Sequence, residues 1–185
     1  MSLFTEDQKN HITGIKECLK MAIQDLRMTA EKLGTFYQQG YFISGGCIGS
    51  LLRGELVNDY DVYFYTQKVG DRIVKLYTED SSYTSYVKLA EAPYRDLQVG
   101  DKIITENAVT LKNGLQLITK HYGEPDVIRN TFDFEHCKPY YYPKTDKLYI
   151  SPKQYILNMT KKLKLTGPDV IAYREQKFID RGWTW

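Results

Sequence analysis

Ile43-Ser-Gly-Gly-Cys-Ile-Gly-Ser-Leu-Leu-Arg-Gly-Glu-Leu-Val-Asn-Asp-Tyr-Asp-Val-Tyr63 is the stretch on which the fold turns. Gly45 and Gly46 stand between a short extended segment, 41–44, and a short helix expected over 47–53. Glycines at such a bend let backbone N–H groups approach a phosphate closely. The helix start adds unpaired donors, and Ser50 adds a hydroxyl. Residues 59–65 form the strongest strand pattern in the chain. Period two puts Asp59, Asp61, Tyr63 and Tyr65 on one face and Tyr60, Val62 and Phe64 on the other. Two carboxylates that close repel each other, and a cation relieves the cost. Carboxylate oxygens completed by phosphate and water suit Mg²⁺. Leu56, Val57, Val62 and Phe64 flank the pair and place the strand in a sheet rather than on a loose surface segment.

Working outward, residues 5–33 read as one amphipathic helix. Thr5 is its cap, Glu6 and Asp7 lie in the first turn, and Gly34 is its stop. A helix is expected over 70–78, and 80–100 lacks a clear period and reads as irregular. Segments 102–105 and 108–111 look extended. Lys112-Asn113-Gly114 turns the chain into a strand over 115–119, making a hairpin. Pro125 opens a short helix to about 130. Residues 132–137 read as extended and 140–150 as a second hairpin. Ser151-Pro152 starts a helix to about 163, Gly167-Pro168 breaks it, and a last helix covers 169–181. This order implies an α/β (α+β) fold, a mixed sheet with flanking helices. Residues 1–150 form the core with its N-terminal helix, and 151–185 a helical C-terminal segment packed on the same domain.

Composition narrows the class. Hydrophobic residues make up 42% of the 185 and charged residues 26%, a balance proper to a globular domain. The net charge of +2 does not by itself signal nucleic-acid binding, so any basic surface must come from local clustering. The C-terminal part supplies a cluster: Lys161, Lys162 and Lys164, then Arg174, Lys177 and Arg181 near helical spacing. Cys18, Cys47 and Cys137 are odd in number and form no CxxC, and His136-Cys137 lacks a second pair, so neither a zinc site nor a disulfide framework is expected. Reduced cysteines and the lack of a signal peptide or long apolar run imply a cytoplasmic protein with no membrane partner.

Gly45, Gly46, Ile48, Leu51, Leu52, Gly54, Asp59 and Asp61 together resemble the nucleotidyltransferase superfamily of DNA polymerase beta, the poly(A) polymerases and the CCA-adding enzymes. Where the CCA-adding pattern carries Arg-Asp, this chain has Gly49-Ser50, a departure that bears on CCA addition and not on the acid pair. Segments around Asn107, Phe132-Asp133-Phe134 and Tyr173–Trp183 also resemble small nucleotidyltransferase-like proteins of bacteriophages. The resemblance implies a third carboxylate on a neighbouring strand, with Asp133 the choice and Glu135 the reserve. It implies two Mg²⁺ (or Mn²⁺) ions held by Asp59, Asp61 and Asp133. An NTP, ATP among them, would have its phosphates steadied by Gly45, Gly46 and Ser50, and Lys162, Arg174 and Lys177 would contact either those phosphates or an RNA strand. The implied reaction is NMP transfer to an acceptor hydroxyl with release of pyrophosphate. The acceptor implied first is an RNA 3′ end, that of a tRNA included; a protein hydroxyl, as in toxin–antitoxin enzymes, comes second and a small molecule third. A non-catalytic nucleotide-binding module of the same fold and a structural phage protein are the alternatives of other classes.

Overall fold

Eight strands form one sheet in the order β3-β4-β5-β6-β2-β1-β7-β8 in the computed structural model, which describes residues 3–79, 97–99, 102–104, 107–111, 113–167 and 172–185. The strands are β1 (Tyr41–Ser44), β2 (Tyr60–Phe64), β3 (Leu97–Val99), β4 (Lys102–Ile104), β5 (Ala108–Thr110), β6 (Leu115–Tyr122), β7 (Tyr140–Tyr142) and β8 (Lys147–Tyr149). β2 runs antiparallel to β1 and parallel to β6, so the Asp strand lies inside the sheet with a ladder on both sides. The mixed α/β architecture expected from the sequence is the one observed.

The alternation read along β2 sorts its side chains as expected. Val62 and Phe64 point into the main core, where they meet Ile43, Leu115 and Leu117 from neighbouring strands. Helices α1 (Glu6–Ala22), α2 (Gln24–Leu33), α4 (Gly46–Leu52) and α5 (Gln67–Glu79) cover this face through Leu19, Ile23, Leu26, Ile48, Leu52 and Ile73. A four-residue helix, α3 (Thr35–Gln38), leads from α2 into β1. Tyr63 and Tyr65 take the opposite face with Phe42 and Tyr140, under Ile128 of α6 (Pro125–Arg129). The open part of that face carries the two aspartates. No helix among the described residues is long and apolar enough to cross a membrane.

Four expectations are corrected. The N-terminal helix is two helices, interrupted at Ile23 (φ −104°, ψ 15°); beyond the break Asp25 accepts a 2.6 Å hydrogen bond from Tyr77 Oη. The irregular stretch expected over 80–100 contains β3, although most of it lies outside the described residues. The 132–137 segment is not a strand. Phe134 makes one isolated bridge to Leu165, and Glu135–Cys137 then winds into a 3-10 turn. Its alternating pattern arises because Phe132 and Phe134 each fill an apolar cluster, not because the segment joins the sheet. Helix α7 (Pro152–Thr160) stops before 163, since Lys161 adopts the left-handed conformation (φ 51°). The expected start of the last helix, Asp169, lies outside the described residues; the helix seen is α8 (Ala172–Ile179).

Asn158 of α7 ties these pieces together. Fully buried, it donates through Nδ2 to the carbonyls of His136 and Gln154, both at 3.0 Å. Its Oδ1 accepts from Arg53 Nη1 at 3.1 Å. A Cβ on Gly49 would collide with that Oδ1, which is why α4 carries a glycine where it crosses α7. Removing these bonds strands buried partners, each worth about 1–3 kcal/mol. Asn158→Ala should therefore lower the urea midpoint markedly while leaving the slope unchanged. An unaltered midpoint would show that the cluster contributes no stability.

Candidate active site

A cleft of about 950 Å³ opens on the sheet face opposite α1 and α5, with Asp59 and Asp61 in its wall. Gly45, Gly46 and Ser50 border it on one side, and Arg174, Lys177 and Arg181 on the other. The glycine bend and the C-terminal basic stripe, far apart in sequence, thus enclose the acid pair.

Gly45 is required here for two reasons. Its φ of 97° is a conformation that L side chains rarely adopt. A Cβ there would also lie 3.1 Å from Asp61 Oδ2. The Gly45 N–H is not available to a ligand, because it donates to the Cys137 carbonyl at 3.1 Å. Gly46, the first residue of α4, has open space where its Cβ would be.

The electrostatics of the pair follow from this enclosure. Asp61 is raised from 3.8 to about 7, first by burial and then by the charge of Asp59, while Lys177 and Arg174 oppose the shift. Lys177 is lowered, first by burial and then by Arg181 and Arg174, with Asp61 acting the other way. Asp61 and Lys177 thus sense each other across the cleft. A hard divalent cation fits this donor set: two carboxylates supply its anionic oxygens and relieve the repulsion, leaving other positions for water or phosphate.

Asp133 borders the same cleft but is engaged otherwise. Arg174 grips it with two hydrogen bonds, Nε to Oδ2 at 2.6 Å and Nη2 to Oδ1 at 2.9 Å. Both carboxylate oxygens are therefore occupied by a guanidinium. Glu135 is turned away, accepting from Gln154 Nε2 at 2.9 Å. Among the described residues no group of three or more His, Cys, Asp or Glu side chains is placed to share one metal. The residue paired with Asp61 on the neighbouring parallel strand is Gln116, which also lines the cleft and donates to Thr110 Oγ1 at 3.3 Å.

Lys162 is not brought to the cleft; its Nζ donates to Thr184 Oγ1 at 2.9 Å and to the Trp185 carbonyl at 3.0 Å. Its neighbour Lys161 lines the cleft instead, bonded to the Arg181 carbonyl at 3.0 Å and paired with Glu55 at 3.2 Å. Arg53 and Trp183, which sequence reasoning passed over, close that end, with the guanidinium 4.9 Å above the indole. His136 lies beneath Trp183, ring centroids 4.0 Å apart, and burial pushes its imidazole down to about 3, so it stays neutral. Burial raises Cys47, and pushes Cys137 up to about 12, so both are uncharged thiols rather than nucleophiles.

The fold is nucleotidyltransferase-like. Among solved structures, the Thermotoga maritima CCA-adding enzyme complexed with tRNA_CCA matches with a TM-score of 0.50 and 12% identity, over 83% of this chain and 35% of that one. That likeness is one of fold, and the chain spans about a third of that enzyme's length. No curated protein matches the chain. The profile of the Gabija anti-defense 2 (Gad2) family matches residues 13–161, and the chain belongs to that family.

The raised Asp61 gives a signed prediction. Its folded value of about 7 exceeds its unfolded value near 3.8, so the stability it contributes is complete below the lower value and is lost as pH rises through the upper one. In metal-free buffer, Asp61→Asn should remove this loss and be more stable than wild type above pH 7. Asp59→Asn should move the Asp61 titration, followed by carboxyl ¹³C NMR, toward lower pH. An Asp61 titration unmoved by that substitution would contradict the coupling.

Proposed function

We propose that this chain is a metal-dependent nucleotidyltransferase that moves NMP from an NTP to an acceptor hydroxyl, using the cleft around Asp59 and Asp61. The observation that carries the reading is the acid pair itself. Both carboxylates line one cleft, Asp61 is raised by burial and by its neighbour, and three cationic side chains of the α8 segment line the same cleft. Structural acids seldom keep such repulsion without a use for it.

Asp59 and Asp61 would hold one Mg²⁺ or Mn²⁺. When bound, that ion would neutralise charge on the triphosphate and in the transition state. Lys177 and Arg181 would bind the β and γ phosphates, with the Gly46 backbone and Ser50 closing the other side. The acceptor oxygen attacks the α-phosphorus, the bond to the β-phosphate bridging oxygen breaks, and pyrophosphate leaves. The acceptor proton passes to water, because Asp133 has both oxygens on Arg174. In this reading Asp133 positions Arg174 rather than holding a second ion.

The acceptor proposed first is an RNA 3′ end. Membership in an anti-defense family favours a second reading, in which the acceptor is a hydroxyl of a Gabija defence protein. Nucleotide capture without turnover is the outcome that Gln116, standing where a third acid would help, makes worth testing.

The test is label transfer from α-³²P NTPs with Mg²⁺ to bulk RNA and, separately, to Gabija proteins. Labelled acceptor is expected with wild type, and Asp61→Ala should reduce it at least about a hundredfold, as loss of a group acting on the reacting phosphate does. Saturable Mg²⁺-dependent NTP binding with no labelled acceptor would replace the transferase by a nucleotide-binding module.

A further inference from the structure

A second cavity, of about 650 Å³, lies between α1 and the β7–β8 hairpin and shares no lining residue with the catalytic cleft. Lys9, Lys16, Arg129 and Lys147 stand in its wall, and among the described residues no Asp or Glu does. In a chain of net charge +2 this is a strong local concentration. The acids nearest these cations lie outside the wall. Glu6 pairs with Lys9 at the surface, largely exposed Asp126 with Arg129, and Asp146 is shared by Lys16 and Lys20 at 3.5 and 3.3 Å, with exposed Glu17 3.7 Å from Lys16. Such exposed pairs exchange readily for a stronger anion.

Aromatic rings line its α6 side. Tyr140 and Tyr149 face each other across the β7–β8 ladder with centroids 4.7 Å apart and planes within 9°. Arg129 sits 4.8 Å from the Tyr140 centroid, and Lys147 5.0 Å from that of Tyr149. Lys147 is exposed on the edge strand, so it can yield the ring to a flat ligand while its ammonium takes an adjoining anion. Lys9 and Lys16 lie two turns apart on α1, about 10 Å along its axis, a longer row than one phosphate group needs.

Cations on both sides of the β8 edge, with stacked aromatics on one of them, are elements of single-strand recognition, in which charge follows the phosphates and rings take the bases. We propose that this cavity binds a short single-stranded segment of nucleic acid, with phosphates along Lys9, Lys16, Arg129 and Lys147 and a base against Tyr149. The site is independent of the chemistry at Asp59 and Asp61 and of the acceptor used there.

Fluorescence anisotropy of labelled single-stranded RNA and DNA oligonucleotides on the full chain, over a range of salt concentrations, tests the assignment. Single strands should bind in a salt-dependent manner. Lys147→Glu and Lys16→Glu should each weaken binding about tenfold and flatten the salt dependence by roughly one unit of slope. Tyr149→Ala should cost about tenfold, with Tyr149→Phe near wild type. Asp61→Ala should bind as wild type, which separates this site from the cleft, and matching thermal melts exclude misfolding of the variants. The proposal is overturned if strands do not bind, if the Lys147 and Tyr149 variants bind as wild type, or if Asp61→Ala abolishes binding. Equal competition by ATP would also overturn it, since the cavity would then be a mononucleotide site.

Discussion

Two carboxylates, Asp61 on β2 and Asp59 just before it, repel each other, and the rest of the cleft is arranged around that repulsion. The ladders to β1 and β6 fix the backbone of β2, which carries Asp61, and Asp59 stands one residue before the first paired position, Tyr60. The glycine bend closes against Asp61 from one side, and only a glycine permits that approach. The α8 segment brings Arg174, Lys177 and Arg181 from the other side. The opposite shifts of Asp61 and Lys177 are two signs of one circumstance: charges held in a poorly hydrated space where each influences the other.

The C-terminal segment is bound to this arrangement by more than charge. Phe178 and Trp183 pack on Phe134 and His136, and Arg174 grips Asp133, so α8 is seated on the turn that follows Phe132. A basic helix held there by apolar contacts presents its cations to the cleft whether or not a ligand is present. That is preorganisation, which lowers the cost of ordering the side chains when an anion arrives. The second cavity beside α1 has a different character, with cations and stacked tyrosines at a sheet edge and, among the described residues, no acid in its wall.

The acid strand and its faces were legible because period two is a local property, and Val62 and Phe64 leave little choice of which side is core. The glycine bend was legible for a similar reason, although its first N–H serves the fold rather than a ligand. The basic stripe was legible from helical spacing. The partnership of Asp133 with Arg174 was not, because 41 residues separate them and a carboxylate in an apolar stretch looks the same whether it meets a metal or a guanidinium. Gln116 was hidden for another reason. Its importance comes from the parallel register of β6 against β2, and register between distant strands leaves no mark in a single sequence. Lys162 and Lys161 were indistinguishable in sequence, since the left-handed turn at Lys161 decides which of them meets the cleft.

A crystal structure with Mn²⁺ and a non-hydrolysable NTP, read by anomalous scattering, addresses the central claim most directly. One anomalous peak is expected between the carboxylates of Asp59 and Asp61, with the triphosphate running toward Lys177 and Arg181 and the Asp133–Arg174 pair intact. A metal bound elsewhere, or a triphosphate seated with the two aspartates bare, would contradict it.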